Sequence, residues 1–164
     1  MRWNEQHPVP RTKFGLSILS DVSGVDVLTI QRWQRTGALP GRRVGKGTPR
    51  AYTVWDALRL RCLAEMTKLG MRLTGPGLHL SAALAGLVRH QVALHGNIDH
   101  VPTALRLYPE DDTYLMAWDP RVTEPEGSHI AINLKAIAES VGRRFLPEDE
   151  DSIDPPALPP RGRL

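Results

Sequence analysis

Cysteine is almost absent from this sequence: Cys62 stands alone among 164 residues. A single thiol cannot build an internal disulfide framework. The fold is therefore expected to rest on a packed core and to suit a reducing, cytoplasmic setting. Long apolar runs are missing too. Hydrophobic residues make up 41% of the chain, the mean hydropathy is -0.30, and no run approaches the ~20 residues of a membrane-spanning helix. Residues 1–8 carry no apolar core of the kind a signal peptide needs. Gly45-Lys46-Gly47 is not set in a G-x-x-x-x-G-K-[ST] run, and no apolar strand leads into it, which excludes a phosphate-cradling P-loop. These absences lead to the expectation of a soluble globular protein with no membrane partner and no cofactor.

The charge is small in sum but uneven. The net is +3. Residues 1–100 hold 14 Lys/Arg against 6 Asp/Glu, and residues 101–164 hold 7 against 12. A basic front half is the electrostatic footprint expected of a polyanion binder. Taken alone, it is also within the ordinary range for a soluble domain.

The basic half contains a stretch, residues 16–70, around which the chain is organised. Leu16, Ile18, Leu19 and Val22 give a short first helix an apolar face, with Ser17 as its N-cap. Gly24 permits a sharp turn. Asp26 is suited to cap a second helix. On that helix Val27, Ile30 and Trp33 face inward, while Leu28, Gln31, Arg32 and Arg35 face outward. Gln and Arg on an outer helix face suit base edges and phosphates in a major groove. Trp33 is read as core, because its spacing from Ile30 turns it inward. Gly37 and Pro40 end the helix.

A basic hairpin is expected next. Gly45 and Gly47 supply its tip, and Arg42, Arg43, Lys46 and Arg50 lie on its strands and tip. Beside a recognition helix, such a hairpin is a wing that holds the neighbouring backbone. Thr53-Val54-Trp55-Asp56 resembles a capping box. The helix it opens, running to about residue 69, has Trp55, Leu58, Cys62, Met66 and Leu69 on one face. Cys62 is read as a small buried hydrophobe rather than an effector ligand.

Residues 25–40, Val25-Asp26-Val27-Leu28-Thr29-Ile30-Gln31-Arg32-Trp33-Gln34-Arg35-Thr36-Gly37-Ala38-Leu39-Pro40, resemble the recognition helix of MerR-type transcription factors. The family pattern is met at Val25, Val27, Thr29, Arg35, Gly37 and Leu39 without a gap. Ile30 and Trp33 are conservative replacements. Leu28, Gln31 and Arg32 depart from it at surface positions, which bears on the DNA sequence read rather than on the fold. Thr48-Pro49-Arg50-Ala51-Tyr52 is similar to the end of the family's wing, and Leu69-Gly70-Met71-Arg72-Leu73 to its L-G-F-S-L. The resemblance implies a winged helix-turn-helix on double-stranded DNA. Leu28, Thr29, Gln31, Arg32 and Arg35 would lie in the major groove, and Arg42, Arg43, Lys46, Arg50 and Tyr52 on the wing side. The run 29–34 also looks like the recognition helix of phage excisionases and terminase small subunits, which are architectural DNA binders.

The remainder is less specific. Thr74-Gly75-Pro76-Gly77 reads as a joint. Residues 78–94 are expected to be helical, with Leu80, Leu84, Leu87, Val88 and Val92 on one side and Ala82, Ala83 and Ala85 raising helix propensity. That helix is expected either to dimerise or to pack on the helix-turn-helix. Residues 101–108 read as a strand or short helix, 113–118 and 129–132 as strands. Asn133 is placed to cap a helix with Leu134, Ile137, Ala138, Val141 and Phe145 inward. His79, His90, His95 and His100 are spaced by 11, 5 and 5, not the three or four that a helical metal pair uses, so metal binding is not expected. Glu124 and Glu126 near His129 lack a nucleophile or an orienting partner, and no enzyme activity is expected.

The expected fold class is thus mainly α with small β elements. Residues 1–14 form a flexible arm, 15–75 the winged helix-turn-helix and 76–95 a linking or dimerisation helix. Residues 96–146 form a small α+β appendage, and 147–164 a disordered acidic and Pro-rich tail. Besides DNA, the partners the sequence admits are a second copy of the chain and a protein contact through the appendage. A protein-interaction adaptor acting through the acidic half is the alternative from another class.

Overall fold

The computed structural model describes residues 13–37, 39, 51–72, 75–110, 113–117 and 127–144. Over these the elements run α1 (Leu16–Ser23), α2 (Val27–Arg35), α3 (Val54–Lys68), α4 (Pro76–His95), β1 (Leu105–Glu110), β2 (Thr113–Ala117), β3 (Ile130–Ile132) and α5 (Leu134–Gly142). The mainly helical class with a small sheet is as the sequence predicts. No helix among the described residues is long and apolar enough to cross a membrane.

Helix α3 is the element on which the others are built. Its start is fixed locally: the Thr53 backbone N–H donates to Asp56 Oδ2 at 2.7 Å while the Asp56 N–H donates back to Thr53 Oγ1 at 3.4 Å. Its burial is broader than the single face read from the sequence. Leu58, Cys62 and Met66 are fully buried as expected, but so are Val54, Ala57, Leu60 and Leu63. Helices α1, α4 and α5 all pack against it, so it is wrapped rather than laid on a surface. Trp55 is only half-buried, and Leu69, just past the helix end, is 50% exposed.

Helix α1 begins two residues earlier than a Ser17 cap would allow. Gly15 is its N-cap, its carbonyl accepting from the Leu19 N–H at 3.0 Å, and Ser17 lies within the helix. Phe14 explains the early start. It pairs with Tyr52 through two backbone bonds of 2.9 Å, delivering the chain to the helix just ahead of Leu16. The buried face is then Leu19, Val22 and Ser23, and Ile18 is turned out, 51% exposed.

Helix α4 runs slightly longer than expected at both ends and packs along α3. Leu80, Leu84, Val88 and Val92 are buried, in the four-residue step the sequence shows, with Leu87 half-buried beside them. Two glycines on this helix predict opposite outcomes. Replacing a helical glycine by alanine normally stabilises by about 1 kcal/mol. Gly86 has open space around its Cβ position, so Gly86→Ala should show that gain. A Cβ on Gly77 would run into the Arg72 carbonyl oxygen. Overpacking costs about 1–3 kcal/mol, so Gly77→Ala should destabilise despite its better propensity. Paired urea titrations would check both, and equal shifts of the two midpoints would refute the account.

The C-terminal sheet has the order β2-β1-β3, all antiparallel. The first strand starts at Leu105 rather than near residue 101 and lies in the middle of the sheet. The hairpin is therefore β1–β2, and β3 pairs with the other edge of β1. The reason lies in the pattern: Leu105, Leu107 and Tyr108 are buried, as a central strand requires. Asn133 caps α5, its Oδ1 accepting from the Ala136 N–H at 2.9 Å. Leu134, Ile137, Ala138 and Val141 face inward as expected, while Phe145 lies outside the described residues. These side chains join those of α1 to α4 in one continuous core from Phe14 to Val141. The Arg144 guanidinium reaches back to Asp21 on α1 at 3.8 Å.

Burial also fixes the character of Cys62. Desolvation pushes its thiol from 9.0 up to about 12. The folded protein thus holds this proton in a range where the unfolded chain has already released it. Below pH 9 the term has no effect. Between pH 9 and 12 it removes about 1.4 kcal/mol of stability per pH unit. The Cys62→Ala variant, compared with its parent in urea at pH 8, 9 and 10, should lose less stability as pH rises. Parallel profiles would contradict this.

Candidate nucleic-acid interface

Helix α2 is set by its cap, its buried face and the fastening of the turn before it. Asp26 Oδ1 accepts from the Thr29 N–H at 2.9 Å and satisfies an otherwise orphaned amide of the first turn. The Thr29 side chain and backbone hold this carboxylate below its usual value of 3.8. Ile30 is completely buried and Trp33 nearly so. Their burial anchors one face of α2, and Val27 is half-buried alongside them. The turn before the helix is fastened from two sides. Ser20 Oγ donates to the Val25 carbonyl at 2.7 Å, and Arg61 on α3 donates to the Ser23 carbonyl at 3.3 Å. Gly24 there has φ of 66°, and a Cβ on it would come within 2.8 Å of the Arg61 guanidinium.

The opposite face carries Leu28, Gln31, Arg32 and Arg35, all exposed, at i, i+3, i+4 and i+7. Leu28 is 76% exposed. Thr29 is half-buried at the edge of this stripe. Arg42, Arg43, Lys46 and Arg50 lie outside the described residues. Tyr52 is placed differently from a wing contact: its ring is 8% exposed, and its hydroxyl accepts from Gln34 Nε2 at 2.6 Å. Its position makes it a brace between α2 and the start of α3. Leu39 is likewise tied back, its N–H donating to the Trp33 carbonyl at 3.2 Å. Both ends of the 40–50 segment are thus fastened to the last turns of α2.

An exposed Gln/Arg stripe on the second of two helices, joined through a tight glycine turn and followed by a capped third helix, is the arrangement a helix-turn-helix presents to DNA. Residues 16–75 match the family model described as MerR HTH family regulatory protein. Over this stretch the chain is similar to a MerR-type helix-turn-helix. The match covers the α1-to-α3 unit and stops before α4. No curated protein matches the chain.

Sequence reasoning missed Ser20, Gln34 and Arg61. Ser20 lies close to its partner, but nothing in a serine's type reveals that bond. The Gln34 and Arg61 contacts span 18 and 38 residues, and no local periodicity encodes them. The other sites raised from the sequence remain apart. The His95 and His100 rings stack at 3.9 Å, brought together where the chain turns at the end of α4. No group of three or more His, Cys, Asp or Glu is placed to hold a metal among the described residues. His129 rests against the Tyr108 ring at 5.3 Å, while Glu124 and Glu126 lie outside the described residues.

Proposed function

We propose that this protein is a transcriptional regulator of the MerR-like type that reads its site through the exposed face of α2. The single observation carrying this reading is the stripe Leu28, Gln31, Arg32 and Arg35, held outward by the burial of Ile30 and Trp33. Gln31 has the paired donor and acceptor that match adenine, and Arg32 and Arg35 the forks that match guanine or phosphate. Leu28 offers an apolar surface suited to a thymine methyl group. Arg42, Arg43, Lys46 and Arg50 grip the adjoining phosphates, and release of counterions there makes affinity fall steeply with salt. A dimer reads an inverted repeat whose spacing reports its geometry.

Selection of bound sequences from random duplex DNA, at two salt concentrations, tests this reading. An enriched inverted repeat is the expected outcome. Binding without enrichment, collapsing as salt rises, would instead mark an architectural binder. No binding at either salt would leave the acidic half, acting as a protein adaptor, as the functional part.

A further inference from the structure

A cleft of about 330 Å3 opens between α3 and the β3–α5 segment. Its size lies at the low end of that of small-molecule sites, about 300–1,000 Å3. One wall belongs to the third helix of the MerR-type unit and the other to the C-terminal segment. Leu69, Ala136 and Ile137 give it an apolar lining, and Arg61, Glu65 and Lys68 stand along one side. This accounts for Leu69, whose spacing on α3 predicts burial but which is half exposed. It borders a space that nothing in the described chain fills.

The charged side is unbalanced. A single oxygen, Glu65 Oε1, accepts from Arg61 at 2.8 Å and from Lys68 at 2.9 Å. Two cations thus share one carboxylate. Arg61 Nε is buried with no hydrogen-bond partner among the described residues. An anionic group at the cleft would meet net positive charge, and an apolar body behind it would meet Leu69 and Ile137.

Arg61 also has a second attachment. It donates to the Ser23 carbonyl at 3.3 Å, at the end of α1, directly before the turn into the recognition helix. We propose that this cleft binds a small amphipathic anion, an aliphatic or aromatic carboxylate, and that Arg61 passes its occupancy to the helix-turn-helix turn. An anion that draws on the guanidinium competes with the Ser23 carbonyl and loosens the support of α2. Binding of the anion stands on the cleft alone; the coupling rests on the DNA-binding reading above.

The probe is 8-anilinonaphthalene-1-sulfonate, titrated into the full-length chain by fluorescence, with octanoate and octanol as competitors. Saturable binding is expected, displaced by octanoate about tenfold better than by octanol. Ala136→Phe, which fills the cleft from an exposed position, and Lys68→Glu, which reverses its charge, should each weaken the probe about tenfold. Leu94→Ala, which trims an exposed leucine elsewhere, should not. No saturable binding, or wild-type affinity in Ala136→Phe, overturns the site. Equal competition by octanol overturns the anion. For the coupling, octanoate should weaken binding to a random-sequence duplex by about fivefold or more, and not in Ala136→Phe. Octanoate that binds without moving DNA affinity overturns the Arg61 link. A chain that binds octanoate but no duplex at all overturns the DNA reading and leaves the cleft standing.

Discussion

A chain cut after Gly75, keeping the whole family-matched unit, is expected to lose cooperative folding. The reason is the all-round burial of α3. Helix α1 covers only part of it, and α4 and α5 cover much of the rest. The cut removes Leu80, Leu84, Val88 and Val92 on α4, and Leu134, Ile137 and Val141 on α5, all buried in the common core. Exposing one large apolar side chain costs about 1.5–3 kcal/mol. A whole domain is stable by only about 5–15 kcal/mol. Losing the cover of even four such residues on α3 therefore exceeds what a unit of this size holds in reserve. Circular dichroism on heating should show a broad, non-cooperative transition in the truncated chain and a sharp one in the full chain. A sharp melt of the fragment within a few degrees of the parent would show that the N-terminal unit is independent.

Reversing both outward arginines, Arg32→Glu with Arg35→Glu, should reduce affinity for the selected DNA site by about thirtyfold or more. Each good side-chain-to-base pair is worth about 1–3 kcal/mol, and each 1.4 kcal/mol is about tenfold. Both side chains are exposed, and neither belongs to the Ile30–Trp33 face. The melting temperature should therefore stay near that of the parent, which separates lost recognition from lost folding. Gln31→Ala is the contrasting variant. It should lower affinity for the preferred site while leaving random DNA nearly unchanged, because phosphate contacts carry no sequence information. Equal losses on both duplexes would remove Gln31 from the reading set.

How much of this was legible in the sequence follows from the range of each interaction. The α2 cap, its inward pair and its outward stripe are all set by residues within one or two turns, and the sequence predicts them. The Thr53–Asp56 box and the Asn133 cap were legible for the same reason. Tyr52 was not: its burial depends on Phe14 and Gln34, far along the chain. The central place of β1 was not legible either, because its pairing with β2 and β3 is set by partners outside its own short run. Helix α3 shows a third kind of gap. Periodicity finds one face of a helix, but a helix packed by three others has more than one. The basic residues proposed for the wing are named by the sequence and the family resemblance alone.

The fastening of both ends of the 40–50 segment to α2 has a consequence for how this region can vary. Leu39 is pinned to Trp33 and Tyr52 to Gln34, so the helix does not depend on the contour length of the chain between them. In polymer terms Leu39 and Tyr52 form a fixed base, and doubling the length of chain that joins two fixed ends costs only about 0.6 kcal/mol. Insertions and deletions between the two pins are therefore cheap for the fold. On the DNA-binding reading proposed above, their effect would fall on affinity, through the number of cations among residues 40–50. On that reading, variants of this protein could retune a grip on the phosphate backbone there without moving the exposed face of α2.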